Sequence, residues 1–128
     1  MSAPGTLVPV RQNRRVSYDE LITHLTALAP GTFVDAEIFP AGTDLRDAEA
    51  VGRGTVASFS DTLARVAPTA AGHGYRVWFA HRGPGPGQVL LAREQVISIE
   101  RDDPEDQPQL WMLLIATIHA SVRLTIYR

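Results

Sequence analysis

The chain has 128 residues, of which 45% are hydrophobic and 20% charged, so it is long enough to bury a core without disulfides or metal. It contains no cysteine, which excludes a disulfide framework, a thiolate nucleophile and a cysteine-based zinc site. The formal net charge of −2 excludes a uniformly basic nucleic-acid-binding surface, although every one of the 12 basic residues is an arginine.

The N-terminal segment, residues 1–15, carries Arg11, Arg14 and Arg15 and no acidic residue. It offers little periodic apolar surface, so we expect a flexible arm. The segment also lacks the apolar run of a signal peptide, which favours a cytoplasmic protein.

The next stretch, "VSYDELITHLTALAPG", predicts an amphipathic helix. Ser17 and Glu20 have the spacing of a capping box, and Val16 and Leu21 have that of a hydrophobic staple. One apolar stripe follows at helical spacing, formed by Leu21, Ile22, Leu25, Leu28 and Ala29. Pro30 and Gly31 end it.

Strand patterns dominate the middle of the chain. Residues 32–39 alternate as a half-buried strand does, and residues 40–52 form a polar insertion. Further strand patterns occupy residues 53–60, 62–67 and 75–81, and the sequence "RGPGPG" at residues 82–87 predicts a hairpin tip. Residues 88–100 predict either two strands with a break near residues 93–95 or one sharply bent strand.

The C-terminal part begins with an acidic, proline-containing segment, residues 102–108, which predicts a solvated linker. Residues 110–122 then carry no formal charge, but the run is too short for a confident membrane span. We predict a buried helix here, with a strand as the alternative because several of its residues are β-branched. Residues 122–128 alternate and predict a final strand.

Such an uncharged segment must be covered, either by the rest of the chain or by another subunit or protein. The candidate interface residues are Trp111, Met112, Leu114 and Ile118.

Two stretches resemble the Sm and Sm-like (LSm) family, which includes the bacterial Sm-like RNA chaperone Hfq. "GTVASFSDTLARV" is similar to the second and third Sm strands, and "GQVLLAREQVISIE" to the second Sm motif. The resemblance covers about residues 17–101. It implies a mostly β protein with some α structure: an SH3-like or Sm-like small barrel of about five bent antiparallel strands in residues 16–101, preceded by the amphipathic helix. An extra helix and strand in residues 109–128 would complete the fold.

The same resemblance implies self-association and RNA binding. The chain departs from the family at the second-motif corner, where Glu94 and Gln95 follow Arg93 without the usual glycine or basic pair. Thr62 and Leu63 stand where a base-stacking aromatic residue is expected. If this chain binds RNA, the usual family pocket has therefore been rebuilt or lost.

A different surface carries RNA-binding residue types. On a strand, Arg76, Trp78 and Arg82 share one face, which offers a stacking plane flanked by phosphate-binding groups. Arg93 and the arm residues Arg14 and Arg15 extend this candidate single-stranded RNA surface. The alternative makes Trp78 a barrel or interface residue covered by the stems of its neighbouring arginines.

Catalytic and metal-binding patterns are missing from the sequence. The serines near Asp61 lack a nucleophile elbow, and the four histidines have no ligand spacing. We therefore predict a non-catalytic binding module without cofactor or metal. The alternative function is a protein–protein interaction adaptor, or an assembly or regulatory subunit, that binds no nucleic acid.

Overall fold

A computed structural model describes residues 14–46, 57–69, 74–79 and 87–128 of the chain. One α-helix, α1 (Tyr18–Thr26), and eight strands lie in these residues. The strands are β1 (Arg14–Arg15), β2 (Phe33–Pro40), β3 (Ala57–Pro68), β4 (Gly74–Phe79), β5 (Gln88–Ala92), β6 (Val96–Asp102), β7 (Leu110–Thr117) and β8 (Ala120–Tyr127).

The strands form one sheet in the order β1-β6-β7-β8-β2-β3-β4-β5, and all of its strand pairs are antiparallel. The expectation of a mostly β, antiparallel protein with one N-terminal helix is confirmed. Among the described strands β1 and β5 are the edges, so this part of the sheet does not close into a barrel by strand pairing. Five of the eight described strands, β2 to β6, fall in the region where about five were expected, and β1, β7 and β8 lie outside it.

The sheet bends at β3, which the sequence pattern had divided into two strands. That division is wrong, because β3 is continuous and pairs first with β2 and then with β4. The register shifts between Leu63 and Arg65, where the chain forms a bulge or similar irregularity. Such a feature lets a single strand bend and exchange partners.

A second corner lies between β5 and β6, where a 3-10 turn occupies Arg93–Gln95. The predicted break at this position is confirmed. Val77 and Leu91 from one end of the sheet belong to the same buried cluster as Ile99 and Leu113 from the other. The sheet therefore curls around a common core.

Helix α1 packs against the inner face of this curled sheet. Leu21 and Leu25 are buried in the core cluster, and the Tyr18 hydroxyl donates a hydrogen bond to the Leu91 carbonyl of β5. The predicted capping box is confirmed, because the Ser17 side chain accepts from the Glu20 backbone N–H at 3.1 Å and the Ser17 N–H donates to the Glu20 carboxylate at 3.2 Å.

The C-terminal helix prediction is wrong. Most of the uncharged run forms β7, so the strand alternative is confirmed, and its last three residues begin β8. Strand β7 pairs with β6 and β8 inside the sheet, and the acidic segment connects β6 to β7. Trp111 and Leu113 lie in the core, while Leu110 and Leu114 are buried on the opposite face. A strand that is covered on both faces has apolar residues at successive positions, so the two-residue period typical of a strand does not appear in its sequence.

Part of the predicted insertion lies against the outer face of the sheet. The Ser121 hydroxyl donates to the Thr43 carbonyl at 3.1 Å, and Arg46 lies 3.6 Å from the Glu100 carboxylate. Residues 47–52 of the insertion, residues 1–13 of the N-terminal arm and residues 82–86 of the hairpin tip lie outside the described residues. The last two residues of the expected arm form β1. In the described part of the chain, no helix is long and apolar enough to cross a membrane.

Candidate nucleic-acid interface

The strand register assembles a small surface on the outer face of β3, β4 and β5. Arg65 lies opposite Trp78 and Ala67 opposite Arg76 across β3 and β4. On the other side of β4, Gln88 lies opposite Trp78 and Leu90 opposite Arg76. Directly opposite residues of an antiparallel pair point to the same face. We call this set the Trp78 surface: Arg65, Ala67, Arg76, Trp78, Gln88 and Leu90.

The intervening residues fix the orientation of this surface. Val77 and Val89 are buried in the core cluster, and Val66 packs against it. Since successive side chains of a strand point to opposite faces, their neighbours Arg65, Arg76 and Trp78 face away from the core. The inward-facing valines of β3, β4 and β5 therefore orient the Trp78 surface outwards.

Two guanidinium groups flank the indole ring of Trp78. The Cζ atom of Arg65 lies 5.6 Å from the ring centroid, and that of Arg76 lies 5.7 Å away. Both distances are near the outer limit of about 6 Å for a cation–π contact. The guanidinium groups are thus near the ring without being tightly stacked on it.

Arg65 and Arg76 also differ from most of the other arginines in their ionic surroundings. Neither forms an ion pair or a hydrogen bond with any described residue, and Arg15 is the remaining described arginine without an ion pair. The arginines that do pair with carboxylates are Arg14, Arg46, Arg93, Arg101, Arg123 and Arg128. Within the described ranges, the two cations beside Trp78 are therefore not neutralised.

The β5 side of the Trp78 surface contains two further groups of interest. Leu90 is 45% exposed, so it presents an apolar side chain beside the tryptophan. The side-chain oxygen of Gln88 is inaccessible to solvent and accepts no hydrogen bond from a described residue. An unsatisfied buried acceptor of this kind calls for an explanation.

The predicted RNA-binding residues fall into separate places. Arg76 and Trp78 lie together on the Trp78 surface, and Arg82 lies outside the described residues. Arg93, in the 3-10 turn between β5 and β6, contacts the first turn of α1. Its guanidinium is 2.6 Å from the Asp19 carboxylate and its Cζ atom is 4.5 Å from the Tyr18 ring centroid. The structure therefore does not bring Arg93 onto the Trp78 surface.

The two predicted arm residues belong to β1, at the opposite edge of the strand order. The Arg14 guanidinium is 3.3 Å from the Glu20 carboxylate. The pKa of Glu20 is lowered, mainly by the hydrogen bond that its carboxylate accepts from the Ser17 backbone N–H and also by Arg14. Arg15 lines a cleft of about 230 Å³ together with Arg93 and Ile97. This cleft brings two of the predicted cations near each other, away from Trp78.

Sequence reasoning missed Arg65. Its sequence neighbours give no hint that it faces an aromatic ring, because the contact arises from the β3–β4 register. That register includes the shift between Leu63 and Arg65, which a sequence pattern does not reveal.

A second arginine–tryptophan contact lies at the other end of the core. The Arg101 guanidinium lies 4.0 Å from the centroid of Trp111 and donates to both carboxylate oxygens of Asp103 at 2.8 and 3.0 Å. The His24 ring meets Trp111 edge-on at 5.7 Å. Burial, followed by the charge of Arg101, lowers the pKa of His24. These groups hold α1 against β6 and β7.

The predicted interface residues are mostly covered by their own chain. Trp111 and Leu114 are each 6% exposed, and Met112 is half-buried. Ile118 is 55% exposed, and nearby Ile97 is 67% exposed. The chain itself thus supplies the cover that the apolar run needs, and the exposed aliphatic surface lies at the end of β7.

Among the described residues, no group of three or more histidine, aspartate or glutamate side chains is placed to hold a metal ion. Comparison with known proteins gives no match to a family model, to a curated protein or to a solved structure.

Proposed function

We propose that this chain is a non-catalytic module that binds single-stranded RNA on the Trp78 surface. The observation that supports the proposal is the position of Trp78 between Arg65 and Arg76, two cations that have no described carboxylate beside them. Proteins that bind single strands commonly combine an aromatic stacking plane with arginines that contact the phosphates.

The other arginine–tryptophan contact shows why this arrangement favours a ligand. Trp111 is buried and Arg101 is neutralised by Asp103, so both groups are already used within the fold. Trp78 is only partly covered, and its two arginines can turn towards phosphates without breaking an ion pair to a described residue. Base stacking on such a ring contributes about 1–3 kcal/mol.

We also propose that the fold is a distant variant of the Sm-like small barrel. The helix before the first long strand, the exchange of partners along β3 and the 3-10 corner between β5 and β6 support this. In the described part of the chain, α1 lies against the core between the two ends of the sheet. The RNA proposal does not depend on this relationship.

The test is a binding titration of fluorescein-labelled oligouridine, followed by fluorescence anisotropy at about 50 and about 200 mM salt. We expect binding that weakens as salt rises. Trp78→Ala should weaken the binding free energy by about 1–3 kcal/mol. Arg65→Gln and Arg76→Gln should each reduce the slope of log affinity against log salt by about 1, the amount expected for one lost phosphate contact.

Arg46→Gln is the matched control, because Arg46 is an exposed arginine that already pairs with Asp44 and Glu100. It should bind RNA as the unchanged protein does. No binding at about 50 mM salt, or equal weakening by Arg46→Gln and Arg76→Gln, would refute the proposal.

A second candidate function, a protein-interaction adaptor that self-associates or binds a protein partner, is favoured by the exposure of Ile97 and Ile118. The Ile118 N–H donates to the Gln95 carbonyl at 2.9 Å, which places these two side chains at the same end of the sheet. Light scattering tests it: under this alternative the protein is an oligomer, and changing both isoleucines to serine yields monomers. A monomer that binds no protein would count against it.

A further inference from the structure

We infer that Gln88 selects the base that stacks on Trp78, by accepting a hydrogen bond from an N–H on the edge of that base. This inference rests on the proposed RNA-binding function and assigns Gln88 the role of a specificity-determining residue. The ligand is a single strand whose stacked base has a ring N–H beside a carbonyl group, as uracil has.

The first argument is the position of Gln88. It lies directly opposite Trp78 in the β4–β5 register, and Leu90 is the next residue of β5 on the same face. Opposite side chains in an antiparallel pair have Cβ atoms about 4.5–5.5 Å apart, and diagonal neighbours such as Trp78 and Leu90 are about 7–8 Å apart. A flat ring with contacts of about 3.5–4 Å on each of its faces fits that diagonal spacing.

The second argument is chemical. The carboxamide oxygen of Gln88 is buried and has no hydrogen-bond donor among the described residues, although buried acceptors are normally satisfied. A carboxamide presents an acceptor and a donor side by side. It can accept from the N3–H of uracil and donate to the adjacent carbonyl at the same time.

The third argument concerns access. Arg65 on β3 and Arg76 on β4 adjoin the Trp78 ring, and no ion pair or hydrogen bond to a described residue holds either guanidinium in place. A base that stacks on Trp78 can displace them towards its own phosphates. The Gln88 carboxamide then turns towards the stacked base, which brings its buried oxygen within reach of the ring N–H.

The experiment compares oligouridine with the same oligomer made from N3-methyluridine. Methylation removes the N–H donor but retains the phosphates and the stacking ring. The unchanged protein should bind the methylated oligomer about tenfold more weakly. Gln88→Leu should bind both oligomers equally, at about the affinity of the unchanged protein for the methylated one.

A second readout needs no RNA. Because no described residue donates to the buried oxygen, Gln88→Leu should leave the urea midpoint of the free protein unchanged or raise it. Gln95 is a half-buried glutamine in the 3-10 turn and provides the matched control. The Gln95→Leu variant should retain discrimination between the two oligomers.

The outcomes separate the two proposals. Equal binding of both oligomers by the unchanged protein overturns the role of Gln88 but leaves RNA binding in place. A lowered urea midpoint in Gln88→Leu, together with unchanged discrimination, makes Gln88 structural and overturns the inference too. If neither oligomer binds, the proposed function itself fails.

Discussion

Arg101 stacks on Trp111 with its guanidinium carbon 4.0 Å from the ring centroid, a closer contact than either arginine makes with Trp78. Trp111 is 6% exposed, and Asp103 accepts two hydrogen bonds from Arg101. The chain therefore has one tryptophan that stabilises the core and one that faces outwards. These two residues provide matched variants for separating stability from binding.

Trp111→Ala should lower the free energy of unfolding by about 3–5 kcal/mol, because it leaves a cavity beneath Arg101 and beside His24. Trp78→Ala should cost clearly less, because its ring is partly exposed and faces away from the core. Urea unfolding followed by circular dichroism measures both. Equal losses for the two variants would show that Trp78 is also a core residue.

The pKa of His24 is lowered, first by burial and then by Arg101 and Arg14. The folded protein therefore binds a proton at His24 less readily than the unfolded chain does. Stability should be highest above the unfolded pKa of about 6.5 and should fall as the pH drops towards the lowered folded value. Urea midpoints measured from about pH 7.5 down to about pH 5 test this.

His24→Gln should flatten that part of the pH profile. The lowered pKa of Asp103, held down mainly by its hydrogen bond from Arg101, produces a separate loss at more acidic pH, which the variant should retain. If the profile between about pH 7.5 and 5 is unchanged in His24→Gln, the dependence comes from other groups.

Gly74→Ala should disturb the pairing of β4 with β5. A Cβ at this position would lie 2.6 Å from the Leu91 carbonyl oxygen and 2.7 Å from the Ala92 Cα, and neither backbone atom can move independently. We expect a loss of about 1–3 kcal/mol in the free energy of unfolding, accompanied by weaker RNA binding. Ala67→Ser, on the Trp78 surface, should change stability much less; similar losses in both variants would contradict this account.

Ser17→Ala removes the N-cap of α1 and should cost about 1 kcal/mol. Thr23 is the control, since its hydroxyl donates only to the Asp19 carbonyl within the helix. Thr23→Ala should be nearly neutral in the same urea experiment. A loss in Thr23→Ala as large as that in Ser17→Ala would mean that the capping box does not set the stability of the helix.

Local signals predicted well wherever a few adjacent residues determine the structure. The start of α1 follows from Ser17 and Glu20, and the corner between β5 and β6 follows from the polar residues at 93–95. The β7 strand could not be distinguished from a buried helix, because Leu110 and Leu114 are buried on the face opposite the core. Part of that outer face is lined by residues 42–46, a segment far away in sequence.

The candidate site was predicted only in part, for a similar reason. The alternation of residues in β4 placed Arg76 and Trp78 on one face. The approach of Arg65, and the position of Gln88 under the same surface, depend on the register of three strands. That register is set by tertiary packing and by the irregularity in β3, neither of which a local pattern encodes.

The most direct test of the account is the behaviour of the two indole N–H signals in a proton–nitrogen NMR titration with oligouridine. Trp78 and Trp111 are the only tryptophans in the chain, so each provides a reference for the other. If RNA binds on the Trp78 surface, the Trp78 signal shifts progressively while the Trp111 signal stays in place. A Trp78 signal that does not move at saturating oligouridine, or a shift confined to Trp111, would contradict the claim that this surface binds RNA.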